Sequence, residues 1–181
     1  MPFCIREFDR TDFDTLWRID QACFDPQLAY SRPELAFYMR RPGSFTLVAQ
    51  SVDESGRVPS EVPSEVPINF PSKVPGNIPG SGILGFIVAE IRRNSGHIIT
   101  IDVVQKARRT GIGSALLEAA EKRLVEAGAV TVALETPVNN AAAIRFYKHQ
   151  GYFVERTATG YYSNQMDALV MVKELKRPVV R

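Results

Sequence analysis

Apolar residues recur along the first part of the chain with the spacing of regular secondary structure. The alternation of apolar and polar residues in FCIREF at 3–8 predicts a first strand. A helix is predicted next, because Thr11 and Asp14 form a capping-box pattern ahead of LWRIDQACF. A second pattern of this kind, formed by Ser31 and Glu34, precedes LAFYMRR. The chain is therefore expected to begin with a strand and two helices.

The apolar runs that follow have the length and composition of strands. SFTLVAQSV at 44–52 and ILGFIVAEI at 83–91 predict the two strands of a hairpin, and HIITIDVV at 97–104 predicts another strand. A helical pattern then extends from about residue 111 to 127, where Gly128 is suited to cap its C-terminus. The last predicted elements are a strand, a helix and two strands, at 130–135, 140–150, 152–157 and 167–175.

The order of these elements predicts an α/β fold. Antiparallel strands come first along the chain, and a strand-helix-strand unit follows them. This order predicts a single central mixed β-sheet flanked by helices. With 181 residues and 45% hydrophobic content, the chain is long enough to bury a substantial core, so residues 1–181 are expected to form a single domain.

Residues 55–82 interrupt the predicted hairpin with a low-complexity, proline-rich segment. Half of the 12 prolines recur there at every fourth residue: Pro59, Pro63, Pro67, Pro71, Pro75 and Pro79. Because proline fixes φ and lacks an N–H, this segment is expected to be an extended or irregular insertion in the hairpin. Three roles stay open for it: a tolerated loop expansion, a ligand for a proline-recognising partner, or a flap over the functional site.

Composition limits the partners of the protein. The formal charge is +2, from 22 basic and 20 acidic residues, so no global field draws the chain to nucleic acid or to an anionic membrane. No apolar run approaches the roughly 18 residues of a membrane span, and MPFCIREFDR lacks the features of a secretion signal. A cytoplasmic location is therefore expected.

The cysteines and histidines are few and widely separated. Cys4 and Cys23 lie in apolar runs and are expected to be buried thiols without chemistry. His97 and His149 have no evident metal partners, so surface or satisfied core positions are expected for them. No metal site is predicted.

The segment RRTGIGS at 108–114 stands immediately before the long predicted helix. A helix N-terminus presents unpaired N–H groups and the positive end of the helix dipole, so it is suited to bind phosphate. Gly111 and Gly113 leave the backbone accessible, while Arg108 and Arg109 add positive charge. The segment fits neither the P-loop pattern, which requires a lysine, nor the dinucleotide pattern, because Leu116 occupies the position of its third glycine.

The pattern Arg-x-x-Gly-x-Gly, between a strand and a helix, resembles the pyrophosphate-binding loop of the GNAT superfamily of acetyltransferases. The run LETPVNNAAAIRFYKHQGY at 134–152 is similar to a second signature of that superfamily, with Asn140 and Tyr147 at the expected spacing. The sequence from LE at 134 through NNAAAIRFY to the later GYY and DALVM most resembles the RimI-type ribosomal-protein-alanine N-acetyltransferases. The resemblance covers residues 83–175 well and 3–52 weakly, and it has no counterpart for the proline-rich segment.

This resemblance implies an enzyme that transfers the acetyl group of acetyl-CoA to a primary amine, most plainly a protein N-terminus. It implies Glu135 as general base and Tyr147 as general acid. The residues that it implies for acetyl-CoA binding are Ile101, Asp102 and Val103 at the acetyl and pantetheine end, Arg108, Arg109, Thr110, Gly111, Ile112, Gly113 and Ser114 at the pyrophosphate, and Asn140 at the pantetheine arm. The sequence departs from the family at Gln105, usually proline, and at 25–31, where DPQLAYS replaces an aromatic substrate-binding segment.

The chemistry of acetyl transfer requires groups of the same kinds. An uncharged amine, donors for the developing oxyanion and a proton for the departing thiolate are all needed. An α-amine with a pKa near ~8 is about a tenth neutral at pH 7, whereas a lysine near ~10.4 is almost wholly charged, so a modest base suffices for N-termini. A backbone N–H of strand 98–104 could meet the oxyanion if an irregularity frees it.

Three functions therefore stay open: N-terminal acetylation, acetylation of a lysine, polyamine or amino sugar by the same fold, and a CoA-binding regulatory module without turnover. Tyr161 and Tyr162 could line the acceptor groove or pack on the last strands.

Overall fold

The computed structural model describes residues 2–53 and 82–175, so the predicted proline-rich insertion lies almost entirely outside the described residues. Within them, seven strands form one mixed sheet in the order β1-β2-β3-β4-β5-β7-β6. The strands are β1 Phe3–Glu7, β2 Ser44–Ser51, β3 Ile83–Arg92, β4 Ser95–Val103, β5 Thr131–Pro137, β6 Phe153–Ala158 and β7 Ala168–Glu174. The helices are α1 Phe13–Cys23, α2 Arg32–Arg40, α3 Ile112–Glu126 and α4 Ala141–His149. The predicted element order and α/β class are confirmed.

Helices cover both faces of the sheet and create two apolar clusters. On one face α3 packs through side chains such as Leu116 and Leu124, and on the other α1 and α2 pack through Leu16, Ile19 and Leu35. Strand β3 lies between these layers, and its first eight residues are all buried. Burial on both faces explains why β3 has a nearly continuous apolar sequence, whereas its neighbour β4 alternates between buried and half-buried positions.

The predicted N-cap residue of the first helix is wrong. Asp9, and not Thr11, caps a 3₁₀ turn that leads into α1, and Asp12 completes the capping box. The hydroxyl of Thr11 donates to Asp9 Oδ1 at 2.6 Å and so does not act as the capping acceptor. Asp14, the predicted partner of Thr11, instead pairs with Arg32 at 2.6 Å. The second predicted box is confirmed, since Ser31 and Glu34 cap α2 reciprocally.

Gly128 caps the C-terminus of α3, as predicted. This glycine has φ +95°, its N–H donates to the carbonyl of Val125, and the N–H of Ala129 donates to that of Leu124, each at 2.9 Å. These two bonds form a Schellman motif, which needs a left-handed residue at the glycine position. Ala129 is fully buried beside Leu124 and starts the chain toward β5.

Strands β4 and β5 are the one parallel pair in the described sheet, and they pair over a short distance. The paired residues are Ser95 to His97 with Thr131 to Ala133. Beyond them β4 continues beside β3 and β5 beside β7, so the two strands diverge. The β3–β4 register passes from Thr100 to Ile98 and leaves Ile99 as a bulge. The irregularity expected in strand 98–104 is therefore present at the point of divergence.

Replacing Gly128 with alanine is expected to lower the free energy of unfolding by about 1 kcal/mol, because an L side chain opposes the left-handed conformation. A Cβ at this position meets no atom within 4 Å, so the loss reports φ alone. Chemical denaturation measures it. Gly128→Asn is the control and should lose less, since asparagine tolerates this conformation; equal stability of wild type and Gly128→Ala would contradict the assigned cap.

Candidate active site

The divergence of β4 from β5 opens a cleft of about 750 Å³. Its walls are the facing edges of the two strands, the start of α3 and the side of α4. One end is closed by side chains from the segment after α1, from α2 and from the β6–β7 loop: Phe24, Leu28, Tyr30, Tyr38, Tyr161 and Tyr162. The opposite end carries positive charge from Arg108, Arg109 and Arg145. The cleft is therefore cationic at one end and aromatic at the other.

The cationic end has the geometry of an anion site. Gly111 precedes α3 with φ +90°, and a Cβ placed there would meet no protein atom within 4 Å. The first N–H groups of the 15-residue α3 lack intrahelical partners and carry the positive end of its dipole. Gly113 and Ser114 also line the cleft. The open space over Gly111 fits a group that approaches the backbone closely, as a pyrophosphate would.

Several predicted cofactor residues have structural partners as well as a place on the cleft. Arg108 Nε donates to the carbonyl of Val103 at 3.0 Å, which ties the glycine turn to the end of β4. Asn140 caps α4 by accepting from the N–H of Ala143 at 3.1 Å. Ser114 Oγ accepts from Gln150 Nε2 at 3.0 Å, which joins α3 to the end of α4. These contacts give each residue a role in shaping the cleft, independent of any ligand.

Two predicted residues have side chains that do not line the cleft. Ile112 is 1% exposed and belongs to the core under α3. The hydroxyl of Thr110 donates to the carbonyl of Ala107 at 2.7 Å and closes the turn before the helix. Burial leaves only the backbone of Ile112 available at the helix N-terminus.

Asp102 differs from its neighbours Ile101 and Val103, with which it lines the cleft. It is 1% exposed, and one of its oxygens accepts from Thr100 Oγ1 at 3.0 Å. Burial raises its pKa well above the usual range, and the nearby Asp20 adds to the shift. Burial therefore favours the neutral carboxylic acid form of Asp102 in the cleft wall.

Glu135 lies where the strands separate and is held by a histidine. Its Oε2 is 2.7 Å from Nε2 of His97, the last β4 residue in register with β5. Burial alone would raise the pKa of Glu135, but the hydrogen bond and charge of His97 outweigh it, with a further hydrogen bond from Tyr161, so this pKa is lowered. Glu135 is a carboxylate throughout the neutral range.

His97 also faces a second carboxylate. Its Nδ1 is 3.6 Å from Oε1 of Glu90, its direct partner on β3. Burial would lower the pKa of His97, but Glu135 and Glu90 outweigh burial and raise it. The sequence predicts a surface or satisfied core position for His97, and the structure gives its ring two carboxylate partners. The contact between His97 and Glu135 depends on the parallel pairing of β4 with β5. Residues 97 and 135 are too far apart in sequence for a local pattern to indicate this pairing.

Tyr147 projects from α4 into the cleft and is 7% exposed. Burial raises its pKa, with added effects from Asp102 and Tyr162, so its hydroxyl remains a donor at any physiological pH. Tyr161 and Tyr162 line the aromatic end, with ring centroids 5.0 Å apart. Both tyrosines thus line the cleft, and their contact with an acceptor stays a prediction. Glu135, His97 and three tyrosines thus border one chamber.

Comparison with known proteins agrees with this geometry. Residues 74–152 match the acetyltransferase (GNAT) family. An N-alpha-acetyltransferase of Sulfurisphaera tokodaii is 40% identical over 81 residues, 44% of this chain and 48% of that protein. Human N-alpha-acetyltransferase 30 is 36% identical over 74 residues, 41% of this chain and 20% of that protein. The chain thus spans less than half the length of these two curated relatives.

Solved structures share the whole fold. The ribosomal-protein-S18-alanine N-acetyltransferase of Escherichia coli superposes with a TM-score of 0.72 at 19% identity, over 97% of this chain and 96% of that one. Ard1 from Thermoplasma volcanium gives a TM-score of 0.72 at 26% identity, over 97% and 99%. The chain therefore has the fold of these acetyltransferases, and its residues 74–152 match the GNAT acetyltransferase family. Acetyl-CoA is the cosubstrate of this family.

Two further findings concern membrane-spanning helices and metal sites. Across residues 2–53 and 82–175, no helix combines the length and the apolar character required to cross a membrane. In the same part of the chain, no three potential metal-ligating side chains lie close enough together to hold an ion.

Replacing Gly111 with valine is expected to abolish acetyl-CoA binding, because the branched side chain fills the open space over the helix N-terminus. Gly128→Val is a matched control at the other end of α3, where φ is also positive and the space is also open. Both variants should lose similar folding free energy. Calorimetry should show at least about tenfold weaker binding for Gly111→Val alone; equal affinity of the two variants would contradict the anion site.

Proposed function

We propose that the protein transfers the acetyl group of acetyl-CoA to the α-amine of a polypeptide N-terminus. The observation that carries the proposal is Glu135, a charged carboxylate where β4 and β5 diverge, beside the tyrosines that line the cleft. In the reaction the amine nitrogen bonds to the acetyl carbon, the carbon–sulfur bond breaks, one proton leaves the amine and one is taken up by the thiolate. Acetyl-CoA, bound with its pyrophosphate at Gly111 and α3, would supply the activated acetyl group.

Charge supports an α-amine over a polycation. Among the described residues that line the cleft, the carboxylates are Glu135 and Asp102, and burial raises the pKa of Asp102, which favours its neutral form. The charge of Glu135 can pair with one ammonium group, whereas a polyamine would bring several ammonium groups into a cleft where burial disfavours a second negative charge. The apolar faces of Phe24 and Leu28 and the nearby tyrosines suit the first side chains of a peptide.

The acidity of Glu135 supports an α-amine over a lysine. The pKa of Glu135 is lowered, so this carboxylate is a weak base. Removing a proton from an α-ammonium with a pKa near ~8 is more than 100-fold easier at equilibrium than removing one from a lysine near ~10.4. Glu135 is therefore matched to the more acidic ammonium group.

Two other groups complete the proposed mechanism. The Tyr147 hydroxyl, which stays protonated, is the donor for the departing thiolate. The bulge at Ile99 takes a residue of β4 out of the regular ladder, so a backbone N–H there is the donor for the oxyanion. His97 and Glu90 are considered separately below.

A peptide that carries both a free α-amine and an internal lysine tests the choice of acceptor. We expect mass spectrometry to find the acetyl group on the α-amine, with no transfer to the same peptide after its N-terminus has been blocked. Transfer to lysine in the blocked peptide at an undiminished rate would overturn the proposed acceptor, and absence of transfer to any amine would overturn enzymatic function.

Replacing Glu135 with glutamine is expected to reduce kcat/KM by about 10²-fold at pH 7, because the proton acceptor is lost while the shape is kept. The defect should shrink as pH rises toward the pKa of the amine, since the amine then loses its proton to solvent. Steady-state kinetics across pH measure both effects. A wild-type profile for this variant would exclude Glu135 as the base.

Tyr147→Phe removes one hydroxyl and should lower kcat by about 10²-fold if protonation of the thiolate limits the rate. Acetyl-CoA affinity should change little, because the ring and its contacts with Phe146 and Tyr152 remain. Calorimetry and kcat measured on the same preparation separate the two effects. A variant that loses affinity and keeps kcat would assign Tyr147 to binding instead of proton transfer.

A further inference from the structure

A row of three ionisable side chains lies across β3, β4 and β5 and ends at Glu135, the candidate base. Glu90 on β3, His97 on β4 and Glu135 on β5 stand side by side on one face. Arg92 contacts Glu90 Oε1 at 2.8 Å and Arg41, just after α2, lies 3.4 Å from Oε2. Tyr161 and Arg156 face the other end of the row at Glu135.

Stability does not explain Glu90. Its side chain is 2% exposed, and its Oε2 has no hydrogen bond among the described residues. A buried carboxylate is costly to desolvate, and an apolar residue of similar size in its place is often neutral or stabilising. β3 is otherwise almost wholly apolar through Ala89, so Glu90 interrupts a strand that an apolar residue would continue. A costly buried charge next to a candidate active site is typical of residues that tune function.

The distances show what Glu90 contacts besides arginine. His97 has one ring nitrogen toward Glu90 at 3.6 Å and the other toward Glu135 at 2.7 Å. The ring is therefore fixed between two carboxylates. An imidazole N–H that donates to Glu135 Oε2 holds the rotamer of that carboxylate.

We propose that His97 is a positioning residue for Glu135, and that Glu90, anchored by Arg41 and Arg92, holds the His97 ring in place and sets the pH range in which Glu135 can accept a proton. The inference rests on the proposed function of the cleft. Glu135 is the group that takes the amine proton; neither His97 nor Glu90 touches the substrate.

The charge of His97 gives the proposal a pH dependence with a definite sign. When His97 is a cation, its charge lowers the basicity of Glu135, and when it is neutral that basicity is restored while Nε2–H still donates. The pKa of His97 is raised from its usual value, so kcat/KM should climb as pH rises through a value above ~6.5. If Glu135 acted without His97, this rise in kcat/KM, the acid limb of the pH profile, would have its midpoint near or below pH ~4.5.

Variants of His97 separate positioning from structure. His97→Gln keeps an N–H donor for Glu135 but has no charge to lose, so we expect kcat within about tenfold of wild type and an acid limb displaced to lower pH. His97→Ala removes the donor, so kcat should fall by about 10²-fold with acetyl-CoA affinity unchanged. The ionisation of the amine is the same in every pH profile, so a difference between profiles comes from ionisable groups of the enzyme. His97→Ala with wild-type kcat, or His97→Gln no better than His97→Ala, would overturn the proposal.

Glu90→Gln tests the outer part of the row. Loss of one negative charge should lower the pKa of His97 and move the acid limb to lower pH, whereas a purely structural role would change the amplitude of the profile and leave its midpoint in place. An unmoved midpoint would overturn the role of Glu90. If wild-type protein transfers acetyl groups and these variants behave as wild type, this inference fails while the proposed function stands.

Nuclear magnetic resonance measures the same coupling without turnover. The chain has 2 histidines, so the imidazole signals of His97 and His149 can be assigned with a single His149→Gln variant. We expect the His97 titration midpoint above ~6.5 in the wild type, and lower in both Glu135→Gln and Glu90→Gln. A midpoint that neither substitution moves would contradict the proposed row even if a kinetic variant fails to fold.

Discussion

The early divergence of β4 from β5 is the constraint on which the rest of the structure depends. Beyond their three paired residues, β4 remains paired with β3 and β5 with β7. One edge of each strand therefore keeps its backbone hydrogen bonds. The two facing edges lose their ladder partners inside the protein. Buried backbone donors and acceptors rarely stay unpaired, so these edges favour a ligand that contains amide groups. The pantetheine arm of acetyl-CoA contains such groups.

The same divergence brings together groups that are distant in sequence. Helix α3 follows β4, so its N-terminus opens at the end of the cleft, with Gly111 left-handed and unobstructed. Helix α4 follows β5 and carries Tyr147 along the opposite wall. The contact between His97 and Glu135 lies at the base of the divergence, where the strands are still close enough for a 2.7 Å contact. One topological feature therefore arranges the residues that we propose for anion binding, proton donation and proton acceptance.

Local patterns in the sequence predict the elements of this fold well, because most of them are decided by short-range physics. Ser31 with Glu34 and Gly128 are examples, since their caps depend on residues within four positions. Asp9 was missed because a 3₁₀ turn precedes α1 and moves the cap upstream of the helical pattern. The cleft residues of the glycine turn are likewise predictable, since a glycine turn and the helix after it are contiguous in the chain.

Contacts between strands are less accessible to sequence reasoning. The partners of His97 come from β3 and β5, and their positions depend on register, which a pattern of apolar residues leaves open. The pKa of Asp102 is a further case, because it is raised by burial and by Asp20, neither of which is visible from IDVV alone. Long-range register and burial, rather than local propensity, thus separate the predicted site from the observed one.

Amide hydrogen exchange with and without acetyl-CoA tests the central claim most directly, because it reports where the ligand meets the backbone. The account predicts slower exchange on binding in three places: the β4 edge at 98–103, the start of α3 at 112–115 and the end of β5 at 134–137. The paired part of β4 and β5 should change little. Protection elsewhere on the sheet, with these edges unaffected, would contradict the assignment of the divergence between β4 and β5 as the acetyl-CoA site.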